Sequence, residues 1–451
     1  MVKRVGRENP SVSEYLARGV ATSKELQRLT GLSQPAISKQ INQLGDTVVR
    51  IPGGRAPLYA LTRNAFGVGD RVPLYLIDVY GNNSKVAEIR PLTHGGYFVE
   101  CMPNSPAMLK GESGSGYFAD LPYYLQDLKP QGFMGRQIAQ ELAGRSSDFP
   151  RDPRDWKTIH IGKYLVANGD DLPGNMIVGE AGIYRLRRNP QIYSRGDYPD
   201  LAQGTLDGQI AGSSAGGEQP KFTVFSKERN SHVIVKFSPV GDDPIACRWK
   251  DILVTEHQAT VALQNRNFPA AQTELIELGG RLFLESQRFD RVGAHGRSSM
   301  ISMQSIDSEF TGDGTNWPVA LRKLYQMDLT PGDHLLDALV LWEFGYLINN
   351  TDMHLGNLSL GMEGNLFRLL PAYDMCSMGF RPVGNEVRPY EFRLNALHSR
   401  LNELKDHPVI ADVIEMAKDF WRQVAADSRI SEEFREFLER GNPVEIAGQY
   451  V

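Results

Sequence analysis

The sequence predicts an α+β protein in which a small N-terminal module of three helices and a hairpin is joined to a larger body of two lobes. Three observations predict it. Residues 11–62 read as short capped helices followed by an alternating stretch around a Gly-Gly pair. Residues 221–290 hold alternating strands around a helical segment, and beyond residue 335 apolar positions recur at helical spacing.

A chain of 451 residues, 41% hydrophobic and 23% charged, is long enough for two or three domains that each bury a core. The boundaries read as 1–65, 66–205, 206–290 and 291–451. Cys101, Cys247 and Cys376 lie far apart without CxxC spacing, which excludes a disulfide framework or a zinc cluster and fits a reducing, cytoplasmic compartment. The basic start MVKRVGRENP leads into no apolar core of a signal peptide. The most apolar later stretch, 335–348, is interrupted by Asp337 and Glu343, so no membrane span is expected. Residues 1–65 carry ten Lys/Arg against four Asp/Glu, a net of +6, which leaves −11 on the remainder of a chain whose total is −5. A basic module on an acidic body points to a polyanionic partner for the first segment alone.

Within that module Ser11 caps a helix through Arg18. Thr22 or Ser23 caps a second helix through Thr30, with Leu26 and Leu29 facing inward, and Gly31 ends it. Ser33 opens a third helix with Pro35 in its first turn and a buried stripe of Ile37, Ile41 and Leu44. Its outer face carries Ser33, Gln34, Ser38, Lys39 and Asn42, donors and acceptors suited to base edges and phosphates. TVVRIPGGRAPLYAL then alternates around Gly53-Gly54 and holds Arg55 at the tip of a wing. The expectation is a winged helix-turn-helix that binds DNA, with protein docking as the alternative use of the same fold.

Residues 70–205 show no catalytic spacing. VPLYLIDVYG and GGYFVECM read as strands of a mixed sheet and QGFMGRQIAQELAG as a helix, in a loop-rich accessory subdomain.

The strongest chemical signal is Asn349-Asn350-Thr351-Asp352-Met353-His354-Leu355-Gly356-Asn357, directly after the apolar helical run. A D-x-x-x-x-N loop, two short strands and a second acid, here Asp374, are the parts by which protein kinases place a base and metal ligands beside ATP. LSL-GMEGN-LFRLL reads as the hairpin that returns the chain. Asp352 is then the catalytic base, while Asn357 and Asp374 hold Mg²⁺ through oxygen. His354 either shapes the loop or takes a direct part. A hydrolase metal site at the D-x-H pair lacks the further ligands it needs.

Upstream, Gly212-Ser213-Ser214-Ala215-Gly216-Gly217-Glu218-Gln219-Pro220-Lys221 is a small-residue loop whose amides can approach phosphate, or a flexible turn. It is not a Walker A loop, since Glu218 stands where that motif needs lysine. HVIVKFSPV is an alternating strand with Lys236 near its end. Glu256, in a helix over 249–264, is its expected ion-pair partner. RLFLESQRFDR reads as a strand entering a hinge, with backbone near Gln287 placed to bond adenine and Phe289 either packing on it or filling the core. Residues 408–438 read as two amphipathic helices.

SSAGGEQPKF, VIVKF, QRFDR, NNTDMHLGN and LLPAYDM together resemble the HipA-like kinase toxins from about residue 205 to the C-terminus, with weaker similarity over 70–205. The whole chain looks like the YjjJ-type members, which carry their own helix-turn-helix. The resemblance implies a two-lobed protein-kinase-like fold, dependence on ATP and Mg²⁺, and phosphorylation of serine or threonine on a protein, which in related toxins is an aminoacyl-tRNA synthetase. By motif it carries function onto Lys236, Asp352, Asn357 and Asp374, with the 212–221 loop over the phosphates. The family's autophosphorylated loop serine aligns with Ser214 without a gap, or with Ser213 with one. Gln287 stands where other members have glutamate. Typical members depend on a separate DNA-binding antitoxin, a part that residues 1–65 would supply in cis. A regulator whose kinase-like body only senses nucleotide is the competing reading.

Overall fold

The structure, a computed structural model, describes residues 11–208, 219–312, 314–384, 386–404 and 409–448. At its N-terminal end Ser11 and Glu14 close a reciprocal cap on the helix Val12–Leu16, and Thr22 and Glu25 do the same for Ser23–Thr30. Gly31, at φ 71°, ends that second helix in the left-handed conformation glycine allows, and Gln34–Leu44 follows. Strands Val48–Ile51 and Leu58–Leu61 pair antiparallel, with Ala21–Thr22 added beside the latter.

Two details differ from expectation. The first helix stops at Leu16 rather than Arg18. Leu29 is 38% exposed, because Thr30 takes the inward position one turn after Leu26 and satisfies its hydroxyl on Leu26 O at 2.6 Å.

The middle of the chain forms a five-stranded sheet whose central strands are Tyr97–Cys101, Asn83–Pro91 and Val72–Ile77. All its pairings are antiparallel, which corrects the mixed sheet expected from sequence. The turns at 78–82 and 92–96 are too short for the crossover that parallel neighbours require. One face of the N-terminal strands packs on this sheet, with Val49, Ile51 and Ala60 buried against Leu92 and Phe98. Beside that seam Arg90, 1% exposed, donates from Nε to Asp70 O at 2.8 Å. Its Nη2 donates to Asp70 Oδ2 at 2.8 Å and to Asp46 O at 2.6 Å, just past the third helix.

A second five-stranded sheet runs in the order Thr273–Leu278, Arg281–Gln287, Ser231–Phe237, Lys221–Ser226, Ile192–Tyr193. Tyr198 and Leu201 cover one of its faces by packing on Phe222, Val224 and Val235. The helix Pro244–Asn265 starts earlier than the sequence pattern indicated, because Asp243 caps it onto the Ile245 and Ala246 amides and Pro244 fits its first turn. The helical lobe is built on Asp333–Leu347 and Ile410–Ala426, joined by Phe344 against Phe420 and by Trp421 Nε1 donating to Leu347 O at 3.2 Å. Among the described residues no helix is long and apolar enough to cross a membrane.

Candidate active site

Antiparallel register places Lys221 directly opposite Lys236 on neighbouring strands. Like charges opposed in this way repel unless acids neutralise them. The Lys236 ammonium has two such partners. It donates to Glu256 Oε1 and Oε2 at 2.6 and 2.7 Å, and to Asp374 Oδ1 at 2.6 Å. Burial alone would pull the Lys236 ammonium down, but Asp374 and Glu256 outweigh it and hold the group above the ordinary lysine range. Burial likewise pushes Asp374 up, and Lys236 with Lys221 more than reverses that, so its carboxyl lies below the usual range. Glu256, enclosed by its helix, is raised by burial against the opposing pull of Lys236.

The acid loop is shaped by its own side chains. Asn349 leaves the helix at φ 60°, and its amide packs so closely on Gly379 that a Cβ there would lie 2.5 Å from Nδ2. Asn350 Oδ1 accepts from the Asp352 amide at 3.0 Å, and Asn357 Nδ2 donates to Asp352 O at 2.8 Å. His354 Nδ1 accepts from the Gly356 amide at 3.0 Å, while its Nε2 stays 3.8 Å from Asp352 Oδ1. Its hydrogen bond therefore closes the loop. The hairpin Ser359–Glu363 with Leu366–Leu369 then returns the chain. Ala372 bonds to Pro269 O, and the Tyr373 hydroxyl bonds to Ser359 Oγ at 2.7 Å, which delivers Asp374 to Lys236 at φ 53°. Cys376, two residues past Asp374, is buried, and burial with the nearby Glu256 carboxylate pushes its thiol well above the ordinary cysteine range.

The chemistry this offers is that of charge handling. Asp352 is partly exposed and its carbonyl is clamped by the Asn357 amide, while carboxylate oxygens of Glu256 and Asp374 flank a fixed ammonium. Among the described residues no three His, Cys, Asp or Glu side chains converge on one cation.

Residues 68–187 match the family model of the YjjJ-like toxin middle domain, and residues 213–440 match that of the HipA-like C-terminal domain. Toxin YjjJ of Escherichia coli (strain K12) is 34% identical over 434 residues, 94% of each chain. The chain belongs to the HipA-like toxin family. A chain of the solved complex of Shewanella oneidensis MR-1 HipA, HipB and operator DNA shares the fold. It has TM-score 0.50 at 15% identity, covering 80% of this chain and 90% of that one.

In this HipA-like chain the remaining candidate residues are distributed as follows. Ser213, Ser214, Ala215, Gly216, Gly217 and Glu218 lie outside the described residues. Gln219 and Lys221 are buried at the start of the lysine strand's neighbour. At the expected hinge the Gln287 amide donates to Gln272 O at 2.9 Å and the Arg288 amide to His232 O at 3.0 Å, so these two donors are engaged in sheet pairing. Phe289 is half-buried with its ring 5.8 Å from Tyr373. On the N-terminal module, Ser33, Gln34, Ser38, Lys39, Asn42 and Arg55 are all exposed.

Sequence reasoning missed two supports of the site. Arg248, 2% exposed, donates to Phe380 O and Arg388 O at 3.0 and 2.9 Å, with its guanidinium 3.6 Å from the Tyr390 ring centroid. Asp251 accepts from Ser431 and Tyr390. Both anchor the helix of Glu256 to the chain beyond Asp374. Their only sequence signal is polarity on an otherwise apolar helix face.

Proposed function

We propose that this chain is an ATP- and Mg²⁺-dependent serine/threonine protein kinase that acts as a growth-inhibiting toxin. The observation that carries this reading is the Lys236 ammonium shared between Glu256 and Asp374, the pair and the metal acid that phosphoryl transfer in kinases requires together. Asn357 and Asp374 supply hard oxygen ligands that suit Mg²⁺, and a cation with so few protein ligands relies on nucleotide phosphates for the rest. When bound, Mg·ATP supplies the transferable phosphoryl group and masks its charge. Lys236 orients the phosphates, Asp352 accepts the proton of the attacking hydroxyl, and Asn357 holds the Asp352 loop in place.

In this reading residues 66–205 are an accessory subdomain, 206–290 the strand lobe and 291–451 the helical lobe of a cytoplasmic protein. Residues 1–65 form a winged helix-turn-helix that binds DNA through Ser33, Gln34, Ser38, Lys39, Asn42 and Arg55, by default as a dimer on a two-fold site. The HipA relative was solved with HipB and operator DNA, which supports DNA and an antitoxin, separate or in cis, as partners. By resemblance an aminoacyl-tRNA synthetase is the substrate to try first.

The test is to incubate the purified full chain with labelled ATP, Mg²⁺ and cell lysate. Labelled protein bands are expected, and Asp352→Asn should reduce labelling about 10²–10⁴-fold while ATP binding persists. ATP-modulated DNA binding with no transfer would replace the kinase by a nucleotide-sensing regulator.

A further inference from the structure

Away from the cleft, a cavity of about 270 Å³ opens where the middle module meets the lysine-bearing sheet. Four arginines, 185, 188, 291 and 297, line it against two aspartates, 170 and 171, so its wall is net cationic. Two of these cations are unmatched. Arg297, 4% exposed, gives Nη2 to the Asp170 carbonyl, while its Nη1 is buried with no hydrogen-bond partner. Among the described residues neither Arg297 nor the exposed Arg188 has a carboxylate within ion-pair distance. Arg185 gives Nε to Asp170 Oδ1 at 2.7 Å, and its Nη2 is also buried and unpartnered. Burial and the neighbouring Arg291 press the Arg297 guanidinium down to about 9. A buried guanidinium without an acid is costly, and an incoming anion removes that cost.

Asp170 and Asp171 keep 31% and 48% of their side chains exposed, so their oxygens remain able to accept hydroxyl groups, as does the nearby Gln191 amide. A bare anion leaves those acceptors unused and meets two like charges. A hydroxylated one uses both halves of the wall. We propose that this cavity binds a small phosphomonoester of the sugar-phosphate class, with Arg188 and Arg297 on the phosphate and Asp170, Asp171 and Gln191 on the hydroxyls. Guanidinium suits this role because its planar donor fork matches phosphate oxygens in pairs. The site is separate from the candidate active site. His232, on its wall, lies four residues before Lys236 on the same strand, about 13 Å along it.

The experiment is calorimetric titration of the full chain with ribose 5-phosphate, with ribose, inorganic phosphate and O-phosphoserine as comparators, and with or without a saturating non-hydrolysable ATP analogue. Saturable binding of ribose 5-phosphate is expected whether or not the analogue is present, with none for ribose. Arg188→Gln, an exposed change that leaves folding intact, should weaken binding about tenfold or more, and Arg297→Gln should abolish it. The proposal is overturned by absence of saturation up to about 10 mM, by unchanged affinity in Arg188→Gln, or by displacement with the ATP analogue, which would assign the signal to the other cleft. Inorganic phosphate or phosphoserine binding as tightly as ribose 5-phosphate would also overturn it, assigning the cavity to bare phosphate or to a phosphorylated side chain.

Discussion

Lys236 Nζ and Asp374 Oδ1 meet at 2.6 Å although 138 residues separate them in the chain. The contact joins the strand lobe to the segment that leaves the acid loop, and the buried Glu256 completes a triad around one buried ammonium. A positive group held between two acids is fixed in position and in charge, which is what a phosphate-orienting lysine needs.

Glu256→Ala should lower the unfolding free energy measured in urea by about 3 kcal/mol, the lower end of the range for breaking a buried pair, because Asp374 still neutralises the ammonium. Glu256→Gln keeps an acceptor and should lose less. In both variants phosphoryl transfer should fall more than ATP affinity does.

Asp290 gives a stability term with a definite pH window. Burial pushes its carboxyl up, but Arg288 and Arg291 outweigh that and hold it far below the usual range. A native value below the unfolded one, about 3.9, stabilises fully above the unfolded value and is lost as pH falls through the native one. Asp290→Asn should therefore cost about 3–5 kcal/mol at neutral pH. The gap between variant and parent denaturation midpoints should narrow below about pH 4; a gap independent of pH would contradict the assignment.

Lys39→Ala tests the exposed face of the third helix. Removing one phosphate contact should flatten the slope of log affinity against log salt by about 1 in gel shifts, whatever the duplex sequence. An unchanged slope would move the nucleic-acid contact elsewhere or assign the module to protein docking.

Arg90→Ala should release the end of the third helix, since Asp46 O and Asp70 lose their donor. A loss of about 1.5–3 kcal/mol is expected, with faster hydrogen exchange confined to residues 34–61 and the adjoining sheet. Uniform exchange throughout the chain would mean that the clamp is global.

Much of the local structure is legible in the sequence because its causes are local. The Thr22–Glu25 cap, the Gly31 stop, and the alternation of the strand that carries Lys236 each depend on neighbours a few residues away. The acid loop is legible for the same reason, as Asn350 and Asn357 bond to Asp352 and His354 bonds to the Gly356 amide. Long-range pairings leave no such trace. Arg90 reaches Asp46 across 44 residues and Arg288 reaches Asp171 across 117, and neither partner stands out by type. Leu29 misleads for a related reason. Hydrophobicity does not reveal that Thr30 has taken the inward position.

The seam between the N-terminal strands and Leu92 and Phe98 changes how deletions of this protein should be interpreted. A chain begun at residue 66 presents those two side chains to water, together with an arginine whose carbonyl acceptor at Asp46 has gone. Such a fragment is prone to clump or to be degraded, so a loss of activity in it would report poor solubility rather than a missing surface contact. Single substitutions at the exposed Ser38 or Lys39, which take no part in that seam, separate the two causes.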